Sequence, residues 1–201
     1  PAILKFTRNY YLLDTDEIAV LSNGRAQIFD KYGTPVEKQL MVADWDMEAA
    51  EKGGYEHFML KEINEQPNAI KQTISPRIKN GMPNFEECGM TAEKLASYHS
   101  IFVVACGTAM HAGLVGKYVI EKLARVPVAV DVASEFRYRD PIIGKGDLVI
   151  VVSQSGETAD TLEALKLSKR LGADTLAIVN VVGSSIAREA GMVIYTHGGP
   201  E

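Results

Sequence analysis

The second half of the chain predicts a doubly wound α/β domain with a five-stranded parallel sheet, preceded by helices and a small β-meander. Five short apolar runs, IFVVAC, VPVAVDVA, DLVIVVS, TLAIVN and MVIYT, follow one another between residues 101 and 196. Helical patterns alternate with them: HAGLVGKYVIEKLARV and TADTLEALKLSKRLG are clear, and SSIAREAG is shorter. The runs are continuous Val, Ile and Leu. That suits strands covered by helices on both faces, as in a parallel sheet.

Residues 1–43 come first. DEIAVLSNGRAQIFD holds two alternating runs around Asn23-Gly24. Both residues of an Asn-Gly pair tolerate positive φ, so this is a hairpin signal. KYGTPVEKQLMVAD adds a turn at Gly33-Thr34-Pro35 and a further strand. A meander this small is marginal alone in water. It is expected to be the tail of a β-rich domain.

Residues 44–100 come next. DMEAAEKGGYEHFMLKEINEQPNAIKQTI opens as a charged linker, breaks at Gly53-Gly54 and then turns helical. Phe58, Ile63, Ala69 and Ile70 are expected to face a core, with Pro67 imposing a boundary or kink. TAEKLASY reads as a short helix capped by Thr91. The α/β domain occupies residues 101–201.

Composition excludes several classes. Of 201 residues, 46% are hydrophobic and 23% charged, enough to build a core. The net charge is −5 with no basic block, which argues against nucleic-acid binding. Cys88 and Cys106 make neither a disulfide framework nor a CxxC metal site. A reducing cytoplasm is the expected compartment. No apolar run approaches the ~20 residues that cross a bilayer, so no membrane partner is expected. The chain starts at Pro1 without a Met and stops in HGGPE, so it is expected to be a piece of a longer protein.

The chemistry concentrates in Ser153-Gln154-Ser155-Gly156-Glu157, between the strand at 148–152 and the helix at 158–171. Open α/β sheets bind ligands at the carboxyl ends of their strands. Free N–H groups and the dipole at a helix start favour an anion. Ser and Thr hydroxyls donate to phosphate oxygens without adding charge, and Gly156 lets the backbone approach. No Lys or Arg lies in the loop, and it does not match G-x-x-x-x-G-K-[ST]. Two readings stand. One is a neutral, hydroxyl-lined phosphate cradle. In the other, Ser155 only caps the helix and Gly156 only makes the turn. A hydrolase elbow is disfavoured, because S-x-S-G-E lacks both glycines of G-x-S-x-G. ACGTAMHAG repeats the strand-to-helix junction with Gly107 and Thr108, and NVVGSS offers a third.

SQSGETADTLEALKLSKRLGA, with ACGTAMHAG upstream and ASEFRYRDP between them, resembles the first sugar-isomerase (SIS) domain of the glutamine–fructose-6-phosphate aminotransferase family. HFMLKEINEQP is similar to that family's join between its glutaminase and isomerase domains, and the meander resembles the end of the glutaminase domain. The resemblance spans essentially the whole chain and implies a flavodoxin-like SIS fold. It also implies an enzyme making glucosamine 6-phosphate from fructose 6-phosphate and glutamine, with no metal or organic cofactor. Ser153, Gln154, Ser155 and Thr158 would hold the sugar phosphate, and Thr108 would contact the sugar. Ala109 stands where the family usually has Ser. The family's catalytic groups come from outside these residues: an N-terminal cysteine, the second SIS domain and the C-terminal tail. The chain is therefore expected to bind substrate or product but not to turn it over alone. Its implied partners are the missing glutaminase and second SIS domains and further copies, in at least a dimer.

Other residues read more plainly. His57, His99, His111 and His197 show no HExxH spacing, and His111 reads as packed or capping. Cys106 reads as a small hydrophobe. Glu157 is expected to favour the helix dipole, a general-base role being the weaker reading. Two competing functions remain: an SIS sugar-phosphate sensor attached to a DNA-binding motif, and an isomerase of another sugar phosphate. The acidic charge and hairpin-like start speak against the first. The linker helix and meander have no purpose in the second.

Overall fold

The structure, a computed structural model, describes residues 6–43 and 52–199. The charged linker expected at 44–51 and the end of HGGPE lie outside the described residues. The chain divides into two compact units, residues 1–61 with 200–201, and residues 62–199.

The first unit is built from short antiparallel strands: β1 (Asn9–Tyr10), β2 (Ile18–Ser22), β3 (Arg25–Phe29), β4 (Pro35–Val36) and β5 (Met41–Val42). β2, β3 and β4 form the expected meander, and β1 pairs with β5. Ser22 pairs with Arg25 across a two-residue turn, with Asn23 at φ 50° and Gly24 at φ 73°. Positive φ at both positions matches the right-handed strand twist. Ile18, Val20 and Leu21 are exposed, and Ile28 is buried.

The helix α1 (Phe58–Ile74) begins in the first unit and ends in the second. It runs through Pro67, which therefore sets no boundary. The expectation of a core face is corrected: Phe58, Ile63 and Ile70 are each at least half exposed, and Ala69 is half-buried. Their spacing is amphipathic, but no element of the described chain covers them. An unexpected hairpin follows, β6 (Ile78–Lys79) and β7 (Met82–Pro83), turning at Asn80-Gly81. Next is α2 (Ala92–Ala96), whose Lys94 N–H donates to the capping Thr91 Oγ1 at 3.2 Å.

The α/β core contains β8 (Ser100–Ala105), α3 (Gly107–Ala124), β9 (Val128–Val132), α4 (Ala133–Tyr138) and β10 (Asp147–Ser153). It continues with α5 (Ala159–Arg170), β11 (Asp174–Val179), α6 (Ser185–Glu189) and β12 (Met192–Tyr195). All five strands pair in parallel in the order β12-β11-β10-β8-β9. The expected strand VPVAVDVA is shorter than its apolar run, because Ala133 starts α4. That helix has six residues and no side-chain cap, so it left too little periodicity to be expected.

Successive strand residues point to opposite faces, which makes two cores. Val149 and Val151 of β10 pack with Phe136 of α4, Leu165 of α5 and Ile186 of α6. Leu148 and Ile150 lie on the other face with Val103, Val128, Met90 and Tyr98, where half-buried Ile120 of α3 packs. Phe136, Leu165 and Ile186 are fully buried. Each contributes roughly 1.5–3 kcal/mol by burial. This rigid core holds the loops at the carboxyl end of the sheet.

Candidate functional site

β8 and β10 are neighbours, with Ala105 opposite Val152. From β8 the chain crosses to β9 on one side, and from β10 to β11 on the other. The loops after β8 and β10 thus diverge, the topology that makes a crevice in open α/β sheets. Open α/β sheets bind ligands at this switch point. The loop after β8 carries Gly107 and Thr108, and the loop after β10 is the serine loop. Thr161 in the first turn of α5 points its hydroxyl at Cys106 Sγ, 3.8 Å away, so the bases of the two loops abut.

Inside the serine loop, Ser153 is buried and closes β10. Its Oγ accepts from the Gly156 N–H at 3.1 Å and lies 3.1 Å from Thr158 Oγ1. Ser155 Oγ accepts from the Glu157 N–H at 3.2 Å, a turn within the loop. Thr158 is the N-cap residue of α5, yet no side chain caps that helix. The first N–H groups of a helix need partners from outside it. Ser155 therefore does not cap α5 as the plainer sequence reading had it. Gln154 and Ser155 are exposed, Thr158 is half-buried, and Thr108 is exposed in the first turn of α3.

The charges suit an anion. Asp160 sits in the first turn of α5, and alone it would oppose one. Arg137 of α4 donates to its carboxylate at 2.8 Å. Hydrogen bonding to Asp160 raises the Arg137 pKa above its already high value, so the guanidinium keeps its charge. The acidic charge beside the cradle is thereby offset without a cation in the loop.

Three contributors were not legible in the motif. Glu157 is engaged within the fold: its Oε1 accepts from the Ser185 N–H at 2.7 Å and so caps α6. Gly156 O accepts from the Ile186 N–H at 3.0 Å. Ser184 is buried against Gly156, its Oγ without a hydrogen-bond partner among the described residues. The serine loop is thus clamped to the start of α6. The NVVGSS junction holds that loop from behind. No group of three or more His, Cys, Asp or Glu side chains is placed to hold a metal among the described residues. No helix there is long and apolar enough to cross a membrane.

A parallel 2-1-3-4-5 sheet is the flavodoxin-like doubly wound order, in which ligands bind at the switch point where the serine loop lies. Residues 94–201 match the SIS domain family model, and the chain belongs to the SIS-domain family. Over its full length it is similar to the glutamine–fructose-6-phosphate aminotransferases (isomerizing) of Caldanaerobacter subterraneus subsp. tengcongensis, at 58% identity, and Clostridium acetobutylicum, at 55%. All of this chain aligns in both cases, with 33% of each relative. The chain thus spans about a third of the length of the curated relatives it matches. The solved C-terminal domain of glucosamine-fructose-6-phosphate aminotransferase from Francisella tularensis superposes at a TM-score of 0.69 with 44% identity. That match covers 75% of this chain and 42% of the other.

Proposed function

We propose that this chain is the sugar-phosphate-binding part of a cytoplasmic enzyme that makes glucosamine 6-phosphate from fructose 6-phosphate and glutamine. The observation that carries the reading is the uncapped start of α5 beside the Ser153–Thr158 hydroxyl pair. The N–H groups there, with Ser153, Gln154, Ser155 and Thr158, bind the phosphate. Thr108, across the crevice, meets the sugar. The whole-length similarity to the aminotransferases favours this over a sensor or another isomerase. Residues 1–43 end a glutaminase domain, 44–100 join it to the isomerase part, and 101–201 are the first SIS domain.

The remaining chemistry belongs to other parts of such an enzyme: glutamine hydrolysis, ring opening and proton transfer at the sugar. The chain alone binds and orients the phosphate and catalyses neither half-reaction. The outer face of α3 supports association with further copies, since Val115, Tyr118, Val119 and Leu123 are all at least half exposed.

An amide NMR titration with fructose 6-phosphate, against inorganic phosphate, tests the site. A half-built site is expected to bind at around millimolar, about −4 kcal/mol. Saturable shifts at residues 153–158 and at Thr108, stronger for the sugar phosphate, are the expected result. Shifts confined to another surface would overturn the assignment.

A further inference from the structure

Asn180 follows β11 and opens the NVVGSS junction, but its side chain was assigned no role in the site. Its backbone N–H donates to the Gln154 carbonyl in the serine loop at 3.1 Å. Its side chain faces the segment that leaves β12. Nδ2 donates to Gly199 O at 2.7 Å, Oδ1 accepts from the Gly198 N–H at 2.7 Å, and Thr196 Oγ1 lies 3.5 Å from Oδ1. The Thr196 N–H donates to Val179 O at 3.0 Å. The chain leaving the edge strand is thus turned back over the end of β11 toward β10.

That turn brings Gly198 beside the serine loop. A Cβ on Gly198 would stand 3.3 Å from Asn180 Oδ1 and 3.7 Å from Gln154 Nε2. A carboxamide suits this clasp because it offers an acceptor and donors in one plane. One side chain can therefore hold an N–H and a carbonyl of the same segment. Asp lacks the donor, and Ala lacks both.

Gln154 is exposed, and a long side chain loses rotamer freedom when it engages a ligand. Holding it near its bound orientation beforehand lowers that cost. We infer that Asn180 is a positioning residue for Gln154. It ties down the Gln154 backbone and, by clasping residues 196–199, builds the wall that orients the Gln154 amide in the crevice. The inference rests on the serine loop being the sugar-phosphate site.

The test is a double-mutant cycle read by amide NMR titration with fructose 6-phosphate, using wild type, Asn180→Ala, Gln154→Ala and the double variant. Asn180→Ala is expected to weaken binding about five- to tenfold. The same change made on Gln154→Ala is expected to cost nothing further, an outcome that general loosening of the fold would not produce. Equal binding by Asn180→Ala overturns the inference, as does the same loss repeated in the Gln154→Ala background. If Asn180→Ala does not fold, Gly198→Ala takes its place, because its Cβ would press on Asn180 Oδ1 and so on the clasp beside the Gln154 amide. The same non-additivity is then required. Wild type without saturable binding overturns the sugar-phosphate reading itself, whatever the variants do.

Discussion

Gly156 lies so close to Ser184 that a Cβ on the glycine would stand 2.0 Å from the serine Oγ and 2.5 Å from its Cβ. Gly156 also sits at φ +66°. Gly156→Ala therefore meets backbone strain and a clash at once, and neither neighbour is the tip of a flexible chain. The expected loss of stability is about 2–5 kcal/mol, read by chemical denaturation. Pairing it with Ser184→Gly, which removes both clashing atoms, is expected to recover part of that loss and leave only the strain.

Ser184 itself behaves in the opposite way. Its buried hydroxyl has no partner among the described residues. An unsatisfied buried hydroxyl costs about 1–3 kcal/mol, so Ser184→Ala is expected to be neutral or slightly stabilising in a melting experiment. A clear drop in melting temperature would show that the hydroxyl is bonded in solution.

Thr158 tests whether its hydroxyl serves a ligand or only the fold. It occupies the N-cap position of α5 without a side-chain cap bond. Thr158→Val keeps the shape and removes the hydroxyl. Loss of its hydrogen bond with the buried Ser153 hydroxyl is expected to cost about 1 kcal/mol of stability, while fructose 6-phosphate binding weakens about tenfold. Unchanged affinity would remove Thr158 from the site.

The opposite end of the sheet is pH-sensitive. The Tyr98 hydroxyl donates to Asp174 at 2.7 Å, and Lys94 Nζ lies 3.2 Å from the same carboxylate. The hydrogen bond from Tyr98, then Lys94, holds the Asp174 pKa below its ordinary 3.8. A depressed folded-state value stabilises the fold above pH 3.8, and that contribution is lost as pH falls through the lower value. Burial first, then Asp174, raises the Tyr98 pKa. Its contribution is full below about pH 10 and is lost as pH rises through the raised value. Tyr98→Phe is expected to cost about 0.5–1 kcal/mol near neutrality, because Asp174 is partly solvated. Denaturation across pH should show the loss flattened at both extremes.

The outer face of α3 predicts association. Val115 is 65% exposed, Tyr118 70% and Leu123 76%. The other side of the helix packs on the sheet, with buried Gly113 against Val103 and Val130. A helix apolar on both faces belongs in a larger interior. Sedimentation is expected to show concentration-dependent self-association, weakened by Tyr118→Glu. A strictly monomeric profile at high concentration would refute it.

By itself the sequence determined the five parallel strands and the strand-to-helix junctions. Strands buried on both faces need continuous apolar runs, and that pattern survives in one dimension. It also placed the Ser153–Thr158 hydroxyls, because short polar side chains at such a junction are local chemistry. Three things did not show. The six residues of α4 are fewer than two helical turns. The exposed face of α1 has the spacing of a core face, and periodicity cannot tell whether a partner is present. Glu157 and Ser184 each act on a residue 28 positions away, and Asn180 acts on Gln154, 26 positions away, and on the segment after β12. Only the order of the strands brings those segments together. Contacts between distant residues depend on which elements pack side by side, so tertiary structure alone decided what clamps the serine loop and what shapes the crevice beside it.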